Sequence, residues 1–279
     1  MKKFGLLGYP LGHSLSPALH RLLAEQHTEK MEYTLFEVEP QEWEEKLTQM
    51  QDELDGFNVT IPYKMKVRER LDELDRSAKL HGAVNTVLKK DGKWIGYNTD
   101  CIGFVKSMEE NQIPLKGSVC VLGAGGVGRM FATECVGRGC NVTLAVRKSS
   151  LSTAQKLREE LVCAFPQSEV AVTEIETLKG SFDLLINATP CGMFPHIKEM
   201  LVNPEFLQNV TAVFDCIYNP QQTMLLAQAE RMGCKTVNGL GMLCWQAAAA
   251  QEIWLDISFQ EAQLHQVEKQ LLAQRIEEK

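Results

Sequence analysis

Gly123-Ala124-Gly125-Gly126-Val127-Gly128 spaces its glycines as G-x-G-x-x-G. The strand-like run SVCVL precedes it and a helical pattern follows, the context in which this motif cradles the pyrophosphate of a dinucleotide. Glycines permit a tight turn and close backbone approach, and the free N–H groups of a helix N-terminus meet the phosphate charge. A glycine-rich turn with no ligand is the plainer alternative. The next strand-like run, NVTLAV, ends in Arg147 and Lys148. An acidic residue there would hold the ribose 2′-hydroxyl of NAD, whereas a guanidinium pairs with a 2′-phosphate and stacks on adenine. The pattern favours NADP, with NAD open as the alternative and a solvated basic pair as the plain reading.

A second constellation lies in the first hundred residues. Lys64 follows the strand-like GFNVTI and Pro62, which places it near a strand's C-terminal end, where open α/β sheets bind ligands. Asp100 ends the segment YNTD. Taken singly, Lys64 reads as a solvated lysine and Asp100 as a helix cap. Small polar residues recur at the other predicted strand ends: Ser14 and Ser16, Asn58 and Thr60, Asn85 and Thr86, Asn98 and Thr99. Hydroxyls, amides and a carboxylate in one ring can bond several hydroxyls of a polyhydroxylated substrate directionally.

The elements that must position these residues alternate between β and α patterns. FGLLG, SPALHRLLAEQ, YTLFEVE, QEWEEKLTQMQ, GFNVTI and PYKMKVRERLDEL read as strand and helix in turn, with Ser16 as an N-cap ahead of Pro17. Asp91-Gly92 between NTVLKK and KWIGYN predicts a hairpin with a type I′ turn. Beyond IPLKG, six strand-like runs (SVCVLG, NVTLAV, EVAVTEI, DLLINAT, AVFDCIY and KTVNG) predict a doubly wound parallel sheet. The last forty residues read as helices that lie back on the first domain. The fold class is thus α/β in two domains, joined by short segments across a cleft.

Length and composition agree with that reading. A chain of 279 residues suits two domains, and 44% hydrophobic with 23% charged residues is ordinary globular composition. The net charge of −7 argues against a nucleic-acid surface. No apolar run approaches a membrane span, and Gly, Pro and His interrupt the start before a signal-peptide core forms. Nine cysteines without a CxxC pair fit neither a disulfide framework nor a metal site, and point to a reducing cytoplasm.

In order along nearly the whole chain, GYPLGHSLSP, GFNVTIPYK, GAVNT, NTD, GAGGVGR, NATPCGM, DCIYNPQQT and NGLGMLCWQAA resemble the shikimate dehydrogenase family. The resemblance implies a substrate domain of residues 1–102 and 240–279 and an inserted NADP-binding Rossmann domain of residues 103–239. It implies reversible NADPH-dependent reduction of 3-dehydroshikimate to shikimate, a step of aromatic amino-acid biosynthesis, by a monomer or homodimer. By motif, Ser14 and Ser16 would bind the substrate carboxylate, Asn58, Thr60, Asn85, Asp100 and Gln246 its hydroxyls, and Tyr218 would add a contact. Lys64 would be the acid–base group with Asp100 orienting it. On the cofactor side, Gly123, Ala124, Gly125, Gly126 and Val127 would meet the pyrophosphate and Arg147 the 2′-phosphate, with Lys148 beside it. Thr189, Cys216, Gly239 and Met242 would flank the nicotinamide. Ketone reduction needs a proton for the developing alkoxide, which the Lys64 ammonium can give while it stabilises the charge.

The chain departs from the family pattern after Arg147, where SSLSTAQ carries no second arginine, and at Cys191 and Cys244-Trp245. Two other readings stay open. A quinate/shikimate dehydrogenase would use NAD or both cofactors, although Ser16 and Arg147 lean against it. A non-catalytic metabolite sensor on the same fold would need neither Lys64 nor Asp100.

Overall fold

The computed structural model describes residues 1–12 and 14–277 of the chain, apart from the side chains of residues 275–277. Two compact units emerge, one from Met1–Gly103 with Leu243–Lys279 and the other from Phe104–Met242. The first contains strands β1 (Lys2–Gly8), β2 (Met31–Glu37), β3 (Gly56–Val59), β4 (Glu73–Leu74), β5 (Thr86–Lys90) and β6 (Lys93–Tyr97). Helices α1 (Ser16–Ala24), α2 (Trp43–Glu53) and α3 (Arg76–His81) join them.

Its sheet runs β2-β1-β3-β5-β6-β4, with β1 parallel to β2 and β3, and β5 antiparallel to β3 and β6. All four residues of β3 are buried, as expected for a central strand. On one side Phe57 and Leu7 pack with Trp43, Leu47 and Tyr63 in a single apolar cluster. The hairpin is as expected: Asp91 and Gly92 take φ of 52° and 78°, the paired left-handed values of a type I′ turn.

Two local expectations fail for tertiary reasons. PYKMKVRERLDEL does not form one helix but a turn, a 3-10 segment at Lys66–Arg70 and the short β4. Val84 N–H bonds the Lys64 carbonyl, Arg68 bonds the Gly82 carbonyl and β4 pairs with β6, so long-range partners replace the helical ladder. Ser16 does not cap α1 but opens it: Leu15 is the cap residue, without a side-chain cap, and Ser14 Oγ accepts the Ser16 N–H at 3.3 Å.

The chain leaves this unit along helix α4 (Asp100–Glu110) and returns along α8 (Leu240–Leu255), followed by α9 (Glu261–Glu277). These C-terminal helices belong to the first unit. Trp254 stacks on Phe4 with ring centroids 4.4 Å apart and donates to the Val87 carbonyl at 2.9 Å.

The second unit holds β7 (Ser118–Leu122), β8 (Asn141–Val146), β9 (Val170–Glu174), β10 (Phe182–Asn187), β11 (Val210–Asp215) and β12 (Lys235–Val237). They are the six runs expected from the sequence. Helices α5 (Gly126–Gly137), α6 (Leu151–Ala164) and α7 (Met224–Arg231) connect them, while short 3-10 segments precede β10 and β11. The sheet is wholly parallel in the order β12-β11-β10-β7-β8-β9. This is the doubly wound order, whose reversal point lies between β7 and β10, where such sheets bind ligands at their carboxyl ends. No helix among the described residues is long and apolar enough to cross a membrane.

Candidate active site

In the first unit the polar residues at strand ends meet. Lys64, in the turn after β3, lies with Nζ 2.7 Å from Asp100 Oδ2 at the start of α4, both side chains partly buried. Asn85, just before β5, donates from Nδ2 to the other oxygen, Asp100 Oδ1, at 2.9 Å. Its orientation is unambiguous, because its Oδ1 accepts the Thr99 backbone N–H at 2.7 Å. Thr86 and Thr99 complete the cluster, their hydroxyls 3.1 Å apart. The Asp100 carboxylate therefore presents one oxygen to a cation and the other to an amide, and it holds the Lys64 ammonium in one place. Asn98 does the capping: its Oδ1 accepts the Asp100 N–H at 3.1 Å.

Around this centre, Asn58 on β3 donates to the Asn85 carbonyl at 3.1 Å and to Thr86 Oγ1 at 3.0 Å. Thr60 bonds through its N–H to the Leu7 carbonyl, and its methyl packs where Gly8 has no side chain. Ser14 and Ser16 stand at the start of α1, and Gln246 lies on α8, donating to the Leu243 carbonyl at 3.0 Å. Tyr218 is apart from this group in the chain, in the second unit after β11.

Two members of the neighbourhood carried no signal in the sequence. Tyr33, on β2, donates to Asn58 Oδ1 at 2.8 Å. His20, on α1, stacks on Tyr33 with ring centroids 4.1 Å apart, and burial pushes its pKa down to about 3. Both look like ordinary core residues in a one-dimensional pattern.

In the second unit the glycine turn follows β7 at the reversal point. Gly125 caps α5 without any side-chain acceptor, so the first N–H groups of the helix have no side chain to meet them. A Cβ on Gly125 or Gly126 would meet nothing within 4 Å, whereas one on Gly128 would lie 2.2 Å from the Gly123 carbonyl oxygen. Gly123 itself takes φ of 97° and sits against Thr189. Open space in front of exposed N–H groups, and tight packing behind them, suit a bound pyrophosphate. Arg147 follows β8 with its side chain exposed and no ion pair among the described residues. It lines a cavity of ≈ 400 Å³ with Ile175, Glu176, Met200, Asn203 and Phe206, a recess of mixed polarity that has a carboxylate as well as this cation in its wall. Lys148, also exposed, begins the following 3-10 turn.

Thr189, Cys216 and Gly239 are linked by one buried network. Asn187, ending β10, accepts from Thr189 N–H and Oγ1 at 3.1 and 2.7 Å and donates to Asp215 Oδ1 at 3.0 Å. Asp215, ending β11, also accepts from Thr223 Oγ1 at 2.6 Å and the Ile217 N–H at 3.1 Å. Despite these donors, burial lifts its pKa to about 6. Burial first, and the neighbouring Asp215 charge second, push the Cys216 thiol up to about 12, so it is neutral and no nucleophile. Gly239 donates to the Ile217 carbonyl at 3.0 Å, and a Cβ there would lie 2.1 Å from the Cys216 carbonyl oxygen. Met242 is buried at the start of α8. Asp215 escaped the sequence reading, although a carboxylate inside the apolar run VFDCIY is a signal that could have found it.

Comparison with known proteins agrees with this geometry. Residues 6–87 match the family model described as the shikimate dehydrogenase substrate binding domain. The chain is 39% identical over 265 residues to the shikimate dehydrogenase (NADP(+)) of Methanocaldococcus jannaschii, covering 92% of each protein. A crystal structure of a shikimate dehydrogenase in complex with NADP+ superposes with a TM-score of 0.90 at 36% identity, over 97% of this chain and 95% of that one. The shikimate 5-dehydrogenase of Thermus thermophilus, in complex with NADP(H) and shikimate, gives 0.87 at 31%, over 97% and 100%. Such similarity across both units, together with the Lys64–Asp100 pair and the glycine turn, places this chain in the shikimate dehydrogenase family.

Proposed function

We propose that the protein catalyses the reversible NADPH-dependent reduction of 3-dehydroshikimate to shikimate, a step of aromatic amino-acid biosynthesis. The observation that carries this reading is the bonded set Lys64–Asp100–Asn85, a cation and an amide fixed on one carboxylate and ringed by hydroxyls. Family membership supports it, since the relatives carry that activity in their names.

The first unit is then the substrate domain and the second the NADP-binding domain. Ser14 and Ser16 hold the substrate carboxylate, and Asn58, Thr60, Asn85, Asp100 and Gln246 its hydroxyls, with Tyr218 adding a contact. NADP, when bound, supplies or accepts the hydride. Lys64 donates a proton to the carbonyl oxygen as negative charge grows there, and in the reverse direction neutral Lys64 takes the hydroxyl proton. Asp100 keeps the ammonium aimed and is itself kept in place by Asn85. Gly123 to Val127 receive the pyrophosphate, Arg147 the 2′-phosphate, and Thr189, Cys216, Gly239 and Met242 border the nicotinamide. Nine cysteines, none of them in a disulfide among the described residues, support a cytoplasmic location, and the net charge of −7 speaks against nucleic-acid partners.

Initial rates with shikimate and with quinate, each with NADP and with NAD, test the reading. Turnover confined to shikimate with NADP is expected. Comparable rates with quinate or NAD would reassign the protein to the broader quinate/shikimate type, and no turnover in any combination would overturn the enzymatic reading.

A further inference from the structure

The side-chain amide of Asn187, the last residue of β10, makes four hydrogen bonds, and its two ends are identified by their partners. Oδ1 accepts from the Thr189 backbone N–H at 3.1 Å, a group that only donates, and from the Thr189 hydroxyl at 2.7 Å. Nδ2 donates to the Cys191 carbonyl at 3.3 Å, a group that only accepts, and to Asp215 Oδ1 at 3.0 Å. An amide offers two donors and two lone pairs, so this one is fully engaged within the protein. Asn187 is also buried, and it has nothing left with which to meet a ligand.

What these bonds fix is the side chain of Thr189. Its one hydroxyl hydrogen goes to Asn187, and its hydroxyl oxygen accepts the Cys191 N–H at 3.2 Å. With the hydroxyl turned that way the methyl lies on the glycine turn: a Cβ on Gly123 would come within 2.8 Å of Thr189 Cγ2. Ala188 backs the same turn. It donates its N–H to the Leu122 carbonyl at 3.0 Å, and a Cβ on Gly128 would lie 3.4 Å from the alanine methyl. The segment after β10 therefore walls the turn after β7 with two methyl groups. The alanine methyl is fixed to the backbone, whereas threonine has three staggered χ1 wells, of which the bond to Asn187 singles out one. Asp215 anchors the amide from the other side, itself accepting from the Ile217 N–H at 3.1 Å and the Thr223 hydroxyl at 2.6 Å.

We propose that Asn187 is a positioning residue for the dinucleotide: it holds Thr189 in the rotamer that packs its methyl on Gly123, and so keeps the glycine turn in the shape that receives the pyrophosphate. The proposal rests on the cofactor reading of that turn given above. Asn187 touches no ligand atom, and Thr189 supplies a wall, its hydroxyl hydrogen being committed to Asn187.

Two variants and their combination test this, with NADP dissociation constants measured by calorimetry on the full chain. Thr189→Val removes the hydroxyl and keeps a methyl; Asn187→Ala removes the brace. Each should weaken NADP about tenfold, the scale of one buried hydrogen bond. Both changes break the same bond, so the double variant should again be about tenfold weaker, whereas independent effects would multiply to about a hundredfold and overturn the proposal. KM for shikimate at saturating NADP should stay at the wild-type value in all three, and a parallel rise would show a general loosening of the fold instead. Should Asn187→Ala fail to fold, unchanged NADP affinity in Thr189→Val overturns the proposal by itself. A readout without cofactor is the nuclear Overhauser effect between the Thr189 methyl and the Gly123 α-protons, expected in the wild type and lost in Asn187→Ala; its persistence there would refute the positioning role. If the wild type does not bind NADP, the cofactor reading falls, and the Overhauser signal still decides whether Asn187 sets the Thr189 rotamer.

Discussion

Around Lys64 the hydrogen-bonding groups are side chains, oriented by other side chains and by backbone groups of neighbouring strands and turns. Asp100 is held by Asn85, Asn85 by the Thr99 backbone, and Asn58 by Tyr33 and the Asn85 carbonyl. At Gly123–Gly128 the groups are backbone N–H, and the residues are notable for having no side chains: Gly128 lets the helix approach β7, and Gly125 and Gly126 leave space open in front. The first arrangement suits a small substrate that must be oriented to within a hydrogen bond, because a misplaced proton donor is a poor one. The second suits a pyrophosphate, whose diffuse charge asks for several N–H groups and close approach rather than a particular side chain. Damage to the first should therefore appear in turnover, and damage to the second in folding or in cofactor affinity.

The largest expected effect breaks the first arrangement alone. Lys64→Ala should lower kcat by about a thousandfold, the usual scale for losing an acid–base group, while NADP affinity measured by calorimetry stays at the wild-type value. Near-normal turnover would remove Lys64 from the mechanism.

Next come two glycine substitutions that separate packing from ligand approach. Gly128→Ala puts a methyl 2.2 Å from the Gly123 carbonyl oxygen and should destabilise the protein by about 3 kcal/mol in urea unfolding. Gly125→Ala meets nothing within 4 Å, so stability should change by about 0.5 kcal/mol or less while NADP binding weakens about tenfold. Equal effects of the two on stability would contradict this division.

Asp215 brings a pH dependence of its own. Its folded pKa, about 6, lies above the ordinary 3.8, so the protonated carboxyl is the form that folding favours. The stabilisation is complete below about pH 4 and is lost as pH rises through about 6, by roughly 3 kcal/mol at most. Urea unfolding between pH 4 and 7 should show this decline in the wild type, and Asp215→Asn should flatten it. A wild-type profile that rises over that range once other carboxylates are accounted for would refute the assignment.

The smallest effect concerns the adenosine end. Arg147→Ala should raise the dissociation constant of NADP about tenfold and leave that of NAD unchanged, as for loss of one charge-assisted bond. An equal loss for both would show that Arg147 does not read the 2′-phosphate.

How much of this was legible beforehand differs between the two units for the same reason that their ligand sites differ. The second unit's four central strands, β7, β8, β10 and β11, are largely apolar runs, and its glycine motif is contiguous in the chain, so pattern and site coincide in one stretch of sequence. In the first unit the helix expected after Pro62 is replaced by turns and a two-residue strand, because Val84, Gly82 and β6 supply partners no local pattern announces. Likewise Ser16 opens α1 instead of capping it.

By itself the sequence determined the α/β class, the order of strands along the chain, the glycine turn, and the presence of Lys64, Asp100 and their polar company as candidates. Those features depend on residue type and short spacing, which determine backbone geometry and burial locally. Only the tertiary structure decided that Asn85 bridges to Asp100, that Asn58 bonds Tyr33, Asn85 and Thr86, and that Gln251 on α8 meets the buried His20. Gln251 and His20 are 231 positions apart, so their hydrogen bond has no local sequence signature; it exists because α8 packs into the first unit and a buried polar group must find a partner where the fold places it.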